Sequence, residues 1–116
     1  MLIRYKKSME KIAMGLLSFM PDEKDVKKLT NTMRAYGDNE NWQLYLWKED
    51  EDVLGAIGVE INPIDEKVIV QHISVNPSHR EQGIGQKMIN EVRSIYQDKY
   101  KIVANDLTKS FLKKCE

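Results

Sequence analysis

The residues best suited to chemistry in this 116-residue chain lie in one run, Arg80-Glu81-Gln82-Gly83-Ile84-Gly85-Gln86, between a β-branched stretch and an apolar helical stripe. The chemistry they suit is holding a phosphate. Ile84, Met88, Val92, Ile95 and Tyr96 recur at helical spacing, which places Gly83 and Gly85 in the first turn of a helix. Glycine costs about 1 kcal/mol relative to alanine inside a helix, so two of them at its start ask for a local reason. The first turn offers N–H groups without intrahelical partners and the positive end of the helix dipole, and glycines let a pyrophosphate reach both. A helix start that merely tolerates glycine is the plainer reading of the two residues alone. No Gly-Lys-Ser/Thr follows, which excludes a Walker A loop, and Met88 occupies the third small position of the dinucleotide fingerprint, which excludes that too. His72 and His79 have no partner at metal-ligand spacing, so no metal is expected.

The elements around this run follow from periodicity. Leu2, Ile3, Arg4 and Tyr5 read as a short strand, and Met9, Ile12, Ala13, Leu16, Leu17 and Met20 as a helix with one apolar face, interrupted at Pro21-Asp22. A second helix turns Val26, Leu29, Met33 and Tyr36 inward and ends near Gly37. The methionines Met9, Met14, Met20 and Met33 read mostly as core filler. Residues 42–47, 53–61 and 68–75 form three consecutive antiparallel strands, joined by a charged turn and by Asn62-Pro63-Ile64-Asp65-Glu66; Gly55 and Gly58 mark a bend or close packing. Pro77 has no N–H for a ladder, so the third strand stops at Val75. Alternation puts Val70, His72 and Ser74 on one side of it and Ile69, Gln71, Ile73 and Val75 on the other. Lys101-Ile102-Val103-Ala104 then makes a strand parallel to 68–75, and Asn105-Asp106 caps a last helix carrying Leu107, Phe111, Leu112 and Cys115. The expectation is one α/β domain over 1–116, with a mixed sheet.

Lys plus Arg and Asp plus Glu each number 18, which gives no basic stripe for nucleic acid or an anionic membrane. A single cysteine, no signal peptide and no long apolar run point to a cytoplasmic protein.

A strand, then Val75-Asn76-Pro77, then Arg80, Gln82, Gly83, Ile84 and Gly85 opening a helix, resembles the Arg/Gln-x-x-Gly-x-Gly/Ala signature of the GCN5-related N-acetyltransferases (GNATs). Residues 2–8, 10–21 and 46–52 resemble a short branch of that family encoded with the riboflavin biosynthesis genes of Bacillus-type bacteria. The resemblance implies the acyl-CoA N-acyltransferase fold and acetyl-CoA (CoA) as cofactor. It assigns Ile73, Ser74 and Val75 to the strand end that pairs with the pantetheine arm, and Glu81, Gln82, Gly83, Ile84, Gly85 and Gln86 to the pyrophosphate loop. Arg80 belongs to the motif, and Asn105 matches a cofactor-contacting asparagine that equally serves as a helix cap.

For acetyl transfer to a primary amine, the candidate base is His72, beside the presumed thioester, with Glu60 as an alternative; a structural, hydrogen-bonded histidine is the competing reading. The acid is the weak point. The family's tyrosine commonly lies seven residues after the asparagine, where this chain has Leu112, and Cys115 one turn later reads as incidental. Family members usually continue with two more strands, so a C-terminally truncated fold is expected. Its acceptor cleft is then open to a large or protein substrate, or its exposed edge is covered by a second copy in a homodimer. Two functions follow: an N-acetyltransferase acting on an unknown small-molecule or protein amine, or a non-catalytic CoA-binding regulatory or scaffold protein associated with riboflavin biosynthesis.

Overall fold

The structure, a computed structural model, describes residues 1–20, 25–79, 82–96 and 99–114. In chain order the elements are β1 (Leu2–Arg4), α1 (Glu10–Leu17), α2 (Val26–Asp38), β2 (Trp42–Glu49), β3 (Asp52–Asn62), β4 (Lys67–Val75), α3 (Ile84–Tyr96), β5 (Lys101–Ala104) and α4 (Lys109–Lys114), with short 3-10 turns at Lys7–Met9 and Pro77–His79. The strands form one five-stranded sheet in sequential order, antiparallel from β1 to β4 and parallel between β4 and β5. The parallel pair arises because α3 carries the chain back across the sheet. Among the described residues no helix is long and apolar enough to cross a membrane.

Each sheet face has its own core. Ile57, Val59, Val68, Val70, Ile73 and Val75 pack against Ile84, Met88, Ile89 and Val92 of α3, joined by Leu112 of α4. On the opposite face Leu44, Leu46 and Ala56 meet Ala13, Leu16 and Leu17 of α1 and Leu29, Met33 and Tyr36 of α2. The expected stripes are narrower in fact. Ile12 is 49% exposed and Val26 71%, because α1 presents the arc of Ala13, Leu16 and Leu17, and Val26 is the first residue of α2. Ile95 and Leu107 are likewise exposed.

One feature of β4 reverses the expected alternation. Gly58 pairs with His72 and the adjacent Val59 with Val70, so Gln71 is an extra residue, a β-bulge. The insertion moves Ile73 and Val75 onto the α3 side with Val68 and Val70, and turns His72 and Ser74 toward α1 and α2. Ser74 Oγ donates to the Leu16 carbonyl at 2.5 Å, anchoring α1 to the end of β4. Gly55 and Gly58 are there for close packing. A Cβ on Gly55 would lie 3.0 Å from Met88 Cε and 3.1 Å from the Ser74 carbonyl, so glycine lets α3 lie close to the sheet.

Candidate functional site

β5 accompanies β4 only from Lys67↔Lys101 to Val70↔Ala104, so residues 71–75 continue with no strand beside them on that side among the described residues. The Asn76 N–H donates to the Leu54 carbonyl at 2.8 Å. By alternation along an antiparallel ladder, Ser74 then directs its backbone groups to β3, and Ile73 and Val75 direct theirs into the gap. The opening is edged on the β4 side by main-chain donors and acceptors.

Its inner end is closed by two side chains from the turn after β5. Thr108, fully buried, donates from Oγ1 to the Val70 carbonyl at 2.6 Å. Asn105 accepts from the Leu107 and Thr108 N–H groups at 2.9 and 3.1 Å and donates from Nδ2 to the Gln71 carbonyl at 3.4 Å. Asn105 is thus a cap and a gap-lining residue at once. Thr108 escaped sequence reading, although its place three residues after a capping Asn was the available signal.

Beyond Val75 the chain passes the 3-10 turn and reaches Gly83. The Gly83 carbonyl accepts from the Lys87 N–H at 3.0 Å, so Gly83 caps α3 and lies outside its first turn, where the periodicity had put it. Its φ of +76° is left-handed, which gives a conformational reason for glycine here. A Cβ at Gly83 would meet nothing within 4 Å, so the space above it is open. The N–H groups of Ile84, Gly85 and Gln86 precede the first helical bond. Gln82, Gly83 and Gln86 are exposed, whereas Ile84 and Gly85 are buried against the sheet. Arg80, Glu81 and Cys115 lie outside the described residues.

On the α1/α2 side, His72 is 7% exposed and its Nδ1 lies 2.6 Å from the Tyr36 hydroxyl. The Tyr36 ring sits over Gly58, where any Cβ would collide with its hydroxyl, so glycine at 58 is what admits the phenol to His72. Tyr36 also packs on Trp42, with ring centroids 5.2 Å apart, and Trp42 Nε1 donates to Glu60 at 3.0 Å. His72 and the alternative base Glu60 therefore share one face and a common aromatic wall. Nothing in the sequence signalled Tyr36, whose spacing is that of an ordinary core residue. Leu112 is buried in the α3-side core and does not supply a proton donor.

The arrangement fits a CoA ligand on three counts visible in the molecule: main-chain groups of Ile73 and Val75 facing an open edge, a capping asparagine at its inner end, and open space over the Gly83 turn. Comparison with known proteins bears on the family. The family model for the acetyltransferase (GNAT) family matches residues 9–115. An uncharacterized N-acetyltransferase in the lysA 3' region of Bacillus methanolicus is 58% identical over 117 residues, spanning 100% of this chain and 95% of its own. AAC(6')-Iy in complex with the bisubstrate analog CoA-S-monomethyl-acetylneamine superposes with a TM-score of 0.74 at 14% identity, over 98% of this chain and 84% of that one. Tetrahymena GCN5 superposes with a TM-score of 0.71 at 12% identity, over 93% of this chain and 68% of that one; at such identities the likeness concerns the fold alone. On the family match and the close relative, the chain belongs to the GNAT acetyltransferase family.

Proposed function

We propose that this protein transfers an acetyl group from acetyl-CoA to a primary amine of a small molecule or protein in the cytoplasm. The observation that carries the reading is the unaccompanied edge of β4 over residues 71–75, leading from Asn105 to the Gly83 turn. The pantetheine arm would lie along Ile73, Ser74 and Val75 as an added strand, and Gln82, Gly83, Ile84, Gly85 and Gln86 would hold the pyrophosphate through main-chain N–H groups. Arg80 and Glu81 complete that loop in the motif. Bound acetyl-CoA supplies a thioester carbonyl as the electrophile.

The protein's part is positioning and proton handling. His72 takes the proton of the acceptor's ammonium so that the neutral amine can attack, its ring oriented by the contact between Nδ1 and the Tyr36 hydroxyl. A hydrogen bond donated by Nδ1–H to the Tyr36 oxygen survives protonation of the ring. Holding the amine against the carbonyl supplies several kcal/mol by proximity alone.

A second reading is favoured by Leu112, which fills the core where the family often places a tyrosine acid. In it the protein binds CoA without turnover, as a regulatory or scaffold partner tied to riboflavin biosynthesis, and a second copy covers the β5 edge. Thiol release from acetyl-CoA in the presence of a panel of primary amines separates the two. Amine-dependent release establishes the enzyme; CoA binding without release from any amine, at enzyme concentrations that would reveal slow turnover, favours the binding protein.

A further inference from the structure

The bulge in β4 sets Gln71 and His72 together opposite a single partner, Gly58. Gln71 is half-buried, and its side-chain Nε2 is shielded from solvent with no hydrogen-bond partner among the described residues. Buried amide donors in folded proteins are nearly always paired, and leaving one unpaired costs the full desolvation of the group. The same residue's carbonyl is met by Asn105 Nδ2 at the inner end of the gap along β4, and the main-chain groups of Ile73 turn into that gap two residues on. Gln71, whose side-chain donor is unpaired, therefore stands where the open edge begins. An N–H₂ group of this kind requires an oxygen acceptor, and a neutral carbonyl satisfies it with no charge to desolvate.

We propose that Gln71 is a ligand-binding residue whose Nε2 donates to a carbonyl oxygen of the acyl-CoA seated along β4. This rests on the cofactor reading above and adds a side-chain contact to its main-chain ones. Two carbonyls of that ligand share the chemistry, the acyl thioester and a pantetheine amide.

The test is calorimetric titration of the wild-type protein, Gln71→Leu and Gln71→Glu with CoA and with acetyl-CoA, together with thermal melts of each protein without ligand. Both variants should bind acetyl-CoA about five- to tenfold more weakly, the loss expected of one hydrogen bond. Gln71→Leu should melt no lower than the wild type, since it removes an unpaired donor. A loss confined to acetyl-CoA assigns the thioester carbonyl, and a loss shared by CoA assigns a pantetheine amide. Wild-type affinity in Gln71→Leu, or in Gln71→Glu, whose carboxylate cannot donate, overturns the inference while leaving the cofactor reading standing. A wild-type protein that binds neither compound overturns both.

Discussion

Replacing Gly83 by glutamate separates what this residue does for the fold from what it does for the ligand. Gly83 has a φ of +76°, and an L-residue held there loses roughly 1–2 kcal/mol. The carboxylate at the N-terminal end of α3 returns about 0.3–1 kcal/mol through the helix dipole, leaving a net destabilisation near 1 kcal/mol. For a domain of this size that is a melting-point drop of about 4 °C, and the fold persists. There is no steric penalty to add, since a Cβ meets nothing within 4 Å. The effect on the ligand is larger. A carboxylate about 5 Å from a doubly charged pyrophosphate, at an effective dielectric constant of about 60, costs roughly 2 kcal/mol, or about thirtyfold in affinity for CoA. Calorimetry measures the affinity and thermal melting the stability. Gly83→Asn, which tolerates the left-handed region, should lose less of both. The affinity loss in Gly83→Glu should shrink as salt is raised, as expected of screened charge. Wild-type affinity in Gly83→Glu, with the small stability loss present, would refute the placement of the pyrophosphate over this turn.

Thr108→Val should lower stability by about 1–3 kcal/mol in urea unfolding, because it leaves the Val70 carbonyl without the donor 2.6 Å away. Gly58→Ala drives a methyl group into the Tyr36 hydroxyl and should displace Tyr36 from His72. The expected result is a loss of about 1–3 kcal/mol in stability and a fall in kcat, with CoA affinity held within about twofold. At alkaline pH the tyrosines matter. Burial, then the hydrogen bond shared with Tyr45, pushes Tyr96 above its ordinary range, and burial followed by Glu10 raises Tyr5. A folded-state pKa above the unfolded value of about 10 means stability that is complete below pH 10 and falls as pH rises beyond it. Tyr96→Phe should flatten part of that fall in denaturation curves taken between about pH 9 and 11.

The elements and their order were legible because apolar periodicity and Pro77 mark them directly. The strand beside α3, the glycine turn that opens α3 and the parallel return strand all follow from residues 68–104. The faces of β4 were not legible. Alternation assumes an uninterrupted ladder, and the extra residue at Gln71 has no signature in side-chain type, so His72 was placed beside Val70 when it lies on the other side. Gly83 was visible as a glycine needing a reason, but its left-handed φ and its position outside α3 depend on how the loop enters the helix. Tyr36 was read as core, and it is core, buried on α2; only the missing Cβ of Gly58 lets its hydroxyl reach His72. That pairing spans 36 residues, beyond what local pattern can show.

CoA bound along the open edge of β4, as proposed, would touch a defined set of main-chain amides. The most direct measurement is an amide-resolved NMR titration of the ¹⁵N-labelled protein with CoA. The largest shifts are expected at the Ile73 and Val75 amides and at Gly83, Ile84, Gly85 and Gln86, with slowed hydrogen exchange at Ile73 and Val75. Saturable binding that leaves these amides unmoved, or no binding at millimolar CoA, would contradict the account.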